Sequence, residues 1–262
     1  MSFISDYINT KNEAGEKILS VFLTAGFPDK NNFVKLALDV LDAGADILEI
    51  GFPFSDPLAD GPVIQHSSQA ALENGVTLKK VFEYVIEIRE KTVKPIILMG
   101  YANPVLSFGK ENFIASCLKS GVNGIIIPDV PIDESADFFN DSFNGPDKIL
   151  LASPTTPVER LIQIDQLSNG FLYYVSMTGT TGKQISNSKE IIEQIKKAFS
   201  VIKKNKMLVG FGISTPEDVK TFLPYSNGVI VGSAVIKSLM NDDYNTTLKK
   251  IEELKKATLW NC

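Results

Sequence analysis

The chain has 262 residues, 44% hydrophobic and 22% charged, which suits one large core and excludes both a disordered chain and a fibrous repeat. Its formal net charge of −5 gives no global electrostatic case for a nucleic-acid partner. One histidine (His66), two cysteines (Cys117 and Cys262) and two arginines (Arg89 and Arg160) exclude a Cys/His zinc cluster and a disulfide framework, and favour a reducing, cytoplasmic setting.

The first eighteen residues include Asp6, Glu13 and Glu16 and lack the apolar centre of a secretory signal. Further along, apolar runs of strand length recur, each followed by polar punctuation and a segment with helical spacing. Eight strands are expected, over Ile18–Thr24, Asp46–Gly51, Pro95–Tyr101, Gly124–Asp129, Lys148–Ser153, Gly170–Ser176, Lys206–Phe211 and Gly228–Val231. Between them, helices are expected at Asn31–Ala43, Leu78–Lys91, Asn112–Lys119, Ile132–Phe143, Val158–Leu167, Lys189–Phe199 and Pro216–Leu223. None of the apolar runs is long enough to span a membrane.

Most of these strands are continuously apolar, as a parallel sheet covered on both faces requires. Eight such units point to a single-domain (β/α)8 barrel over residues 1–262, with a doubly wound sheet as the alternative. Extra chain follows the second and sixth strands. In a barrel, the loops after the strands build the catalytic face, so these two places are where chemistry is expected.

The second strand ends Ile47-Leu48-Glu49-Ile50-Gly51, so strand alternation sets Glu49 on the face of Ile47 and Gly51. A carboxyl group in apolar surroundings favours its protonated form and suits proton shuttling near neutral pH; the alternative is a Glu paired with a lysine or a backbone amide. The loop that follows, from Gly51 to Pro62, carries three prolines, two glycines and the apolar Phe52, Phe54 and Leu58, and is built to hold a shape that something apolar covers. Within it, Asp60 is either a second carboxylate in a different environment from Glu49 or simply part of an Asp-Gly-Pro turn. His66, in the helix expected next, has no nucleophile or carboxylate at a telling spacing and reads as a surface residue.

The loop Ser176–Gln184 is small, polar and free of proline, which suits a closing lid. Its Gly182-Lys183 lacks the remaining positions of a Walker motif. After the last two strands come glycine-rich junctions, Gly210-Phe211-Gly212-Ile213 and Val231-Gly232-Ser233. Ser214 or Thr215 is the expected N-cap of the next helix, with Glu217 closing a capping box on Ser214. Such junctions either bind phosphate through backbone N–H groups without a cationic side chain, or serve only as tight turns.

These segments resemble the tryptophan synthase alpha chain family. The resemblance is carried by Leu48-Glu49-Ile50-Gly51, the run from Pro53 to Pro62, Tyr101-Ala102-Asn103-Pro104, Pro128-Asp129-Val130-Pro131, the stretch from Val175 to Gly182, Gly210-Phe211-Gly212-Ile213 and Gly232-Ser233. The proline loop is the most specific. The resemblance implies a lyase that splits indole-3-glycerol phosphate into indole and glyceraldehyde 3-phosphate by a retro-aldol reaction. It implies that Glu49 protonates the indole ring and takes the proton of the side-chain hydroxyl, and that Asp60 accepts from the indole N–H. Phe22, Met99, Tyr101, Asp129, Tyr173, Thr181 and Phe211 match positions around the substrate, and Gly182, Gly212, Gly232 and Ser233 match a phosphate cradle. Pro57, Asn103 and Pro131 match loops that dock a beta chain in an α2β2 complex, and pyridoxal phosphate is then expected only in that partner. No cofactor or metal is expected in this chain. A non-catalytic activator of the beta chain and another phosphate-binding barrel are the competing readings.

Overall fold

The computed structural model describes residues 2–139, 145–176, 189–210 and 212–259. The strands are β1 (Ile18–Thr24), β2 (Ile47–Gly51), β3 (Ile96–Met99), β4 (Gly124–Ile126), β5 (Asp147–Lys148), β6 (Leu151–Ala152), β7 (Phe171–Val175), β8 (Lys206–Gly210) and β9 (Gly228–Val231). They form one sheet in the order β5-β4-β3-β2-β1-β9-β8-β7-β6, and every ladder is parallel. The two end strands are consecutive pieces of one segment. Ile149 and Leu150 join them, the Ile149 N–H reaching back to Ile125 O at 3.0 Å and Leu150 O accepting forward from the Tyr173 N–H at 3.1 Å. The sheet therefore closes into a (β/α)8 barrel. The expected fifth strand is one strand of this ring, split because it pairs with β4 through its first residues and with β7 through its last.

Alternation along each strand sorts the side chains into two cores. Leu19, Val21, Leu48, Ile50, Ile96 and Leu98 point outward and pack beneath the helices, for example against Phe33, Val85 and Phe113. Ile18, Ile47, Ile97, Met99, Phe171, Tyr173, Leu208 and Ile230 point inward and fill the barrel. Burial on both faces explains why these strands read as unbroken apolar runs.

The expected helices are present with shifted ends, and several more accompany them. The helix Phe3–Glu13, capped by Ser2 Oγ on the Ser5 N–H at 3.1 Å, pushes the fully buried Ile4 and Ile8 into the interior cluster. Its contacts with Gly124, Gly170 and Asn227, all at or just before strand starts, seat it across the N-terminal mouth. Its signal in the sequence is the spacing of Phe3, Ile4, Tyr7 and Ile8. The helix Pro62–Glu73 takes up part of the surplus after β2, and the short helix Ala102–Phe108 precedes Lys110–Ser120. The expected helix from Ile132 ends at Phe138; residues 140–144 lie outside the described residues. At the C-terminal end, Ser233–Asn241 and Tyr244–Thr258 complete the outer layer. No described helix is long and apolar enough to cross a membrane.

Candidate active site

The strands deliver their C-terminal ends to a cleft. Its walls are Phe22 from β1, Glu49 from β2, Met99 from β3 and Tyr173 from β7, with Asp60 from the proline loop and Gly212, Gly232 and Ser233 from the two late junctions. Eight residues singled out from the sequence thus meet in one space. Gly61, Ile64, Ile213 and Ile230 complete the lining. Ile230 follows from strand alternation, whereas Ile64 depends on how the helix after the proline loop leans over the barrel.

Glu49 is fully buried. Its Oε1 accepts a hydrogen bond from Ser20 Oγ at 2.7 Å, and its Oε2 has no hydrogen-bond partner among the described residues. Burial pushes its carboxyl group up to about 7, against a smaller opposing effect of the Ser20 bond. Asp60 is partly buried and is pushed up to about 6, again chiefly by desolvation, with the Tyr101 hydroxyl opposing by its hydrogen bond. Burial thus lifts both carboxyl groups above the ordinary carboxylate range. Among the described residues the Glu49 carboxyl group meets only this neutral hydroxyl, and no lysine or backbone amide bonds to it.

Tyr101 flanks the cleft and organises the loop. Its hydroxyl accepts from the Ala59 N–H at 3.1 Å, its ring packs on Phe54 at 5.4 Å between centroids, and burial with the nearby Asp60 charge raises its hydroxyl well above the ordinary tyrosine value. Phe52 is core, packed edge-on to Phe113 at 6.1 Å. Two of the three apolar side chains of the proline loop are thus covered by the barrel rim, and Leu58 alone among them stands out, 90% exposed. The Ser68 hydroxyl accepts from the Phe54 N–H at 2.9 Å and donates to Phe54 O at 3.1 Å, pinning the loop to the helix behind it. His66 lies exposed on that helix, its ring edge-on to Phe27.

Gly51 lies under the Phe22 ring so closely that a Cβ there would come within 2.4 Å of it. A larger residue would displace this wall of the cleft. Tyr173, nearly fully buried, has its hydroxyl held well above the ordinary range by desolvation first and then by the charges of Glu49 and Asp60.

At the late junctions the structure divides what the sequence treats alike. The helix Ser233–Asn241 opens directly onto the cleft, with Gly232 as its N-cap and the first intrahelical bond made by the Val235 N–H. The preceding amides are the kind that bind an anion. The other helix start is already occupied. Asp218, not Glu217, closes a capping box with Thr215, and its Oδ2 accepts from the N–H groups of both Ser214 and Thr215 at 3.0 and 2.9 Å. Among the described residues, only Gly212, in a left-handed conformation at φ 77°, and Ile213 reach the cleft from this side.

Asp129 is exposed and lies outside the cleft lining, where its carboxylate accepts from the Ala102 N–H at 3.0 and 3.2 Å and so fixes the start of the helix after Tyr101. Pro57, Asn103 and Pro131 lie in the segments after β2, β3 and β4, on the rim outside the cleft. Thr181 and Gly182, with the rest of the expected lid from Met177, lie outside the described residues, as does Phe211. Among the described residues, no group of three or more His, Cys, Asp and Glu side chains is placed to hold a metal ion.

A family model for the tryptophan synthase alpha chain matches residues 8–260. The chain belongs to the tryptophan synthase alpha chain family. It is 41% identical over 249 residues to the tryptophan synthase alpha chain of Flavobacterium psychrophilum, covering 94% of this chain and 98% of that one. It is 43% identical over 247 residues to that of Petrotoga mobilis, covering 92% and 94%. Among solved structures it is similar to tryptophan synthase of Mycobacterium tuberculosis, with a TM-score of 0.91, 28% identity and 99% of each chain covered. The tryptophan synthase alpha chain of Legionella pneumophila superposes with a TM-score of 0.86 at 31% identity over 98% of this chain and 97% of that one. Membership in this family identifies a lyase acting on indole-3-glycerol phosphate in tryptophan biosynthesis. The tryptophan synthase alpha chain needs no cofactor of its own, and it assembles with a beta chain, which carries pyridoxal phosphate, as an α2β2 complex.

Proposed function

We propose that this chain performs the retro-aldol cleavage with Glu49 as the proton-transfer group and Asp60 as the acceptor of the indole N–H. The observation that carries this reading is the pair of carboxyl groups lining one cleft, one pushed up to about 7 and the other to about 6. Near neutral pH, Glu49 is present in both forms and Asp60 mainly as the carboxylate.

The chemistry follows from that division. Protonated Glu49 gives its proton to C3 of the indole ring, and the cation that develops on the ring is stabilised by Asp60 through the N–H. The resulting Glu49 carboxylate removes the proton of the hydroxyl on the attached side-chain carbon. That oxygen becomes the carbonyl of glyceraldehyde 3-phosphate, the carbon–carbon bond breaks, and its electron pair returns to the ring as neutral indole. One proton leaves Glu49 and one comes back.

Phe22, Met99 and Tyr173 supply apolar and aromatic surface for the indole, and the turns at Gly212, Gly232 and Ser233 supply backbone for the phosphate. Gly182 is assigned to the same phosphate cradle, Thr181 and Phe211 to the substrate, and Asp129 to the neighbouring rim. Pro57, Asn103 and Pro131, with the exposed Leu58 beside them, form the docking face for the beta chain. We read the whole chain as one domain working in the cytoplasm.

The test is to incubate the purified chain, alone and with a beta chain, with indole-3-glycerol phosphate and to quantify indole and glyceraldehyde 3-phosphate. Equal amounts of the two products are expected, made faster in the complex. Stimulation of the beta chain without release of either product would sink the catalytic assignment.

A further inference from the structure

The inward face of β1 carries Ile18, Ser20 and Phe22 in alternation, and that of β2 carries Ile47 and Glu49. Ser20 thus puts a hydroxyl into a wall that is otherwise made of Ile4, Ile8, Ile18, Ile47 and Ile97. It is as completely buried as Glu49, and the 2.7 Å bond between them is the one hydrogen bond that the Glu49 carboxyl group makes among the described residues. We propose that Ser20 is a positioning residue for Glu49, tying Oε1 to β1 so that Oε2 is the oxygen that exchanges protons with the substrate.

Three observations support this reading, which rests on Glu49 being the proton-transfer group. The two strands are locked in register beside the pair, with Ser20 opposite Ile47 and Phe22 opposite Glu49, so the hydroxyl is fixed by a parallel ladder and not by a loop. A buried carboxyl oxygen without a partner is costly unless something supplies one during function, and Oε2 is such an atom among the described residues, on a side chain that lines the cleft. The chemical type also fits. A serine hydroxyl donates to Oε1 both in the carboxylate and in the acid protonated on Oε2, where Oε1 is the carbonyl oxygen, so it stays bonded to Glu49 before and after each proton transfer. A lysine in its place would favour the charged form, and a carbonyl the neutral one.

The charged and titratable groups around Glu49 do not duplicate this role. Tyr173 from β7 and Asp60 from the proline loop are electrostatically coupled to one another, and Tyr173 also to Glu49. From the helix Phe3–Glu13 below, the Tyr7 hydroxyl is influenced by Asp46 and Glu16. From β3 come Ile97 and Met99, neither of which titrates.

The experiment compares Ser20→Ala and Ser20→Thr with the parent chain in indole release as a function of pH. Removing a donor from a carboxylate raises its proton affinity, so in Ser20→Ala the limb of the kcat profile governed by Glu49 moves up by about half to one pH unit. At neutral pH kcat falls on the order of tenfold while KM changes by less than about twofold, the split expected when positioning and not binding is lost. Ser20→Thr, which keeps the hydroxyl, retains the parent limb. A carbon-13 NMR titration of the Glu49 carboxyl, assigned by its loss in Glu49→Gln, reads the same shift in the absence of turnover. An unmoved carboxyl titration in Ser20→Ala overturns the proposal, as does equal damage in both Ser20 variants with the limb unchanged. Glu49→Gln separates the two readings: if it still releases indole at the parent rate, the role of Glu49 fails and takes this proposal with it. If it is inactive while Ser20→Ala matches the parent, only the role of Ser20 fails.

Discussion

Asp46, just before β2, and Glu49, at its middle, lie three residues apart in the chain and are both buried, yet they are treated in opposite ways. Asp46, at the N-terminal mouth, receives the Leu19 N–H at 2.9 Å and the Lys255 ammonium at 2.8 Å, with Lys11 at 3.7 Å. Lys11 and Lys255 also reach Glu16, at 2.9 and 3.4 Å, so the network ties the N-terminal helix, the last helix and the start of β2 together. Glu49, further along β2, has a single neutral donor and one oxygen without a hydrogen bond among the described residues. A paired carboxylate holds a structure in place. An underpaired one in apolar surroundings keeps its proton in play, at a cost in stability that functional sites commonly carry.

This contrast can be broken most directly at Glu49 itself. Glu49→Gln keeps the shape but cannot exchange the proton, and indole release should fall by about 10⁴-fold, toward the upper end for a general acid–base group. Asp60→Asn, which removes only charge stabilisation of the ring, should cost less, about 10²-fold. A Glu49→Gln chain with half the parent rate would remove the chemical half of the comparison.

At the start of β2, Asp46→Ala leaves the Leu19 N–H without its acceptor and Lys255 with only its longer contact to Glu16, and should lower unfolding stability by about 3 kcal/mol, seen as a lower denaturant midpoint. The rate of the remaining folded protein should stay near that of the parent.

The smallest effect sharpens the comparison by reversing its sign. Glu49 is raised from the ordinary 4.5 to about 7 in the folded chain. Its contribution to stability is therefore complete below about pH 4.5 and is lost by the time the pH has risen through about 7, because across that window the unfolded state has given up a proton that the folded state still binds. Glu49→Gln does not titrate, so it should be more stable than the parent at pH 8, by at most about 3 kcal/mol, and the gap should close near pH 5. Melting curves at the two pH values decide it; a gap that is the same at both would refute the buried, proton-retaining state.

The barrel was legible in the sequence because strands buried on both faces leave unbroken apolar runs, as at Ile47–Gly51 and Phe171–Val175. Glu49 was legible for the same reason, as a charge inside such a run. What escaped depends on contacts between distant segments. Ser20 looks like an unremarked polar residue in an apolar strand until β1 and β2 are aligned. Asp218 rather than Glu217 closes the capping box because Thr215 is the N-cap, a one-residue choice that Ser214 and Thr215 leave open in sequence. The cover over Phe52 and Phe54 comes from Phe113 and Tyr101, far along the chain.

The junction at Ile149 and Leu150 has a mechanical consequence. On one side of it the ring is held to β4 by two residue pairs, and on the other to β7 by two more, against five between β1 and β2 and five between β7 and β8. Such short ladders are where a closed sheet breathes first, since local opening is cheapest where few hydrogen bonds must yield together. Tyr173 pairs across this seam with Leu151 while forming a wall of the cleft. Glu49 thus sits on a strand held by five residue pairs on one side and four on the other, whereas Tyr173 sits on a strand with only two pairs on its seam side.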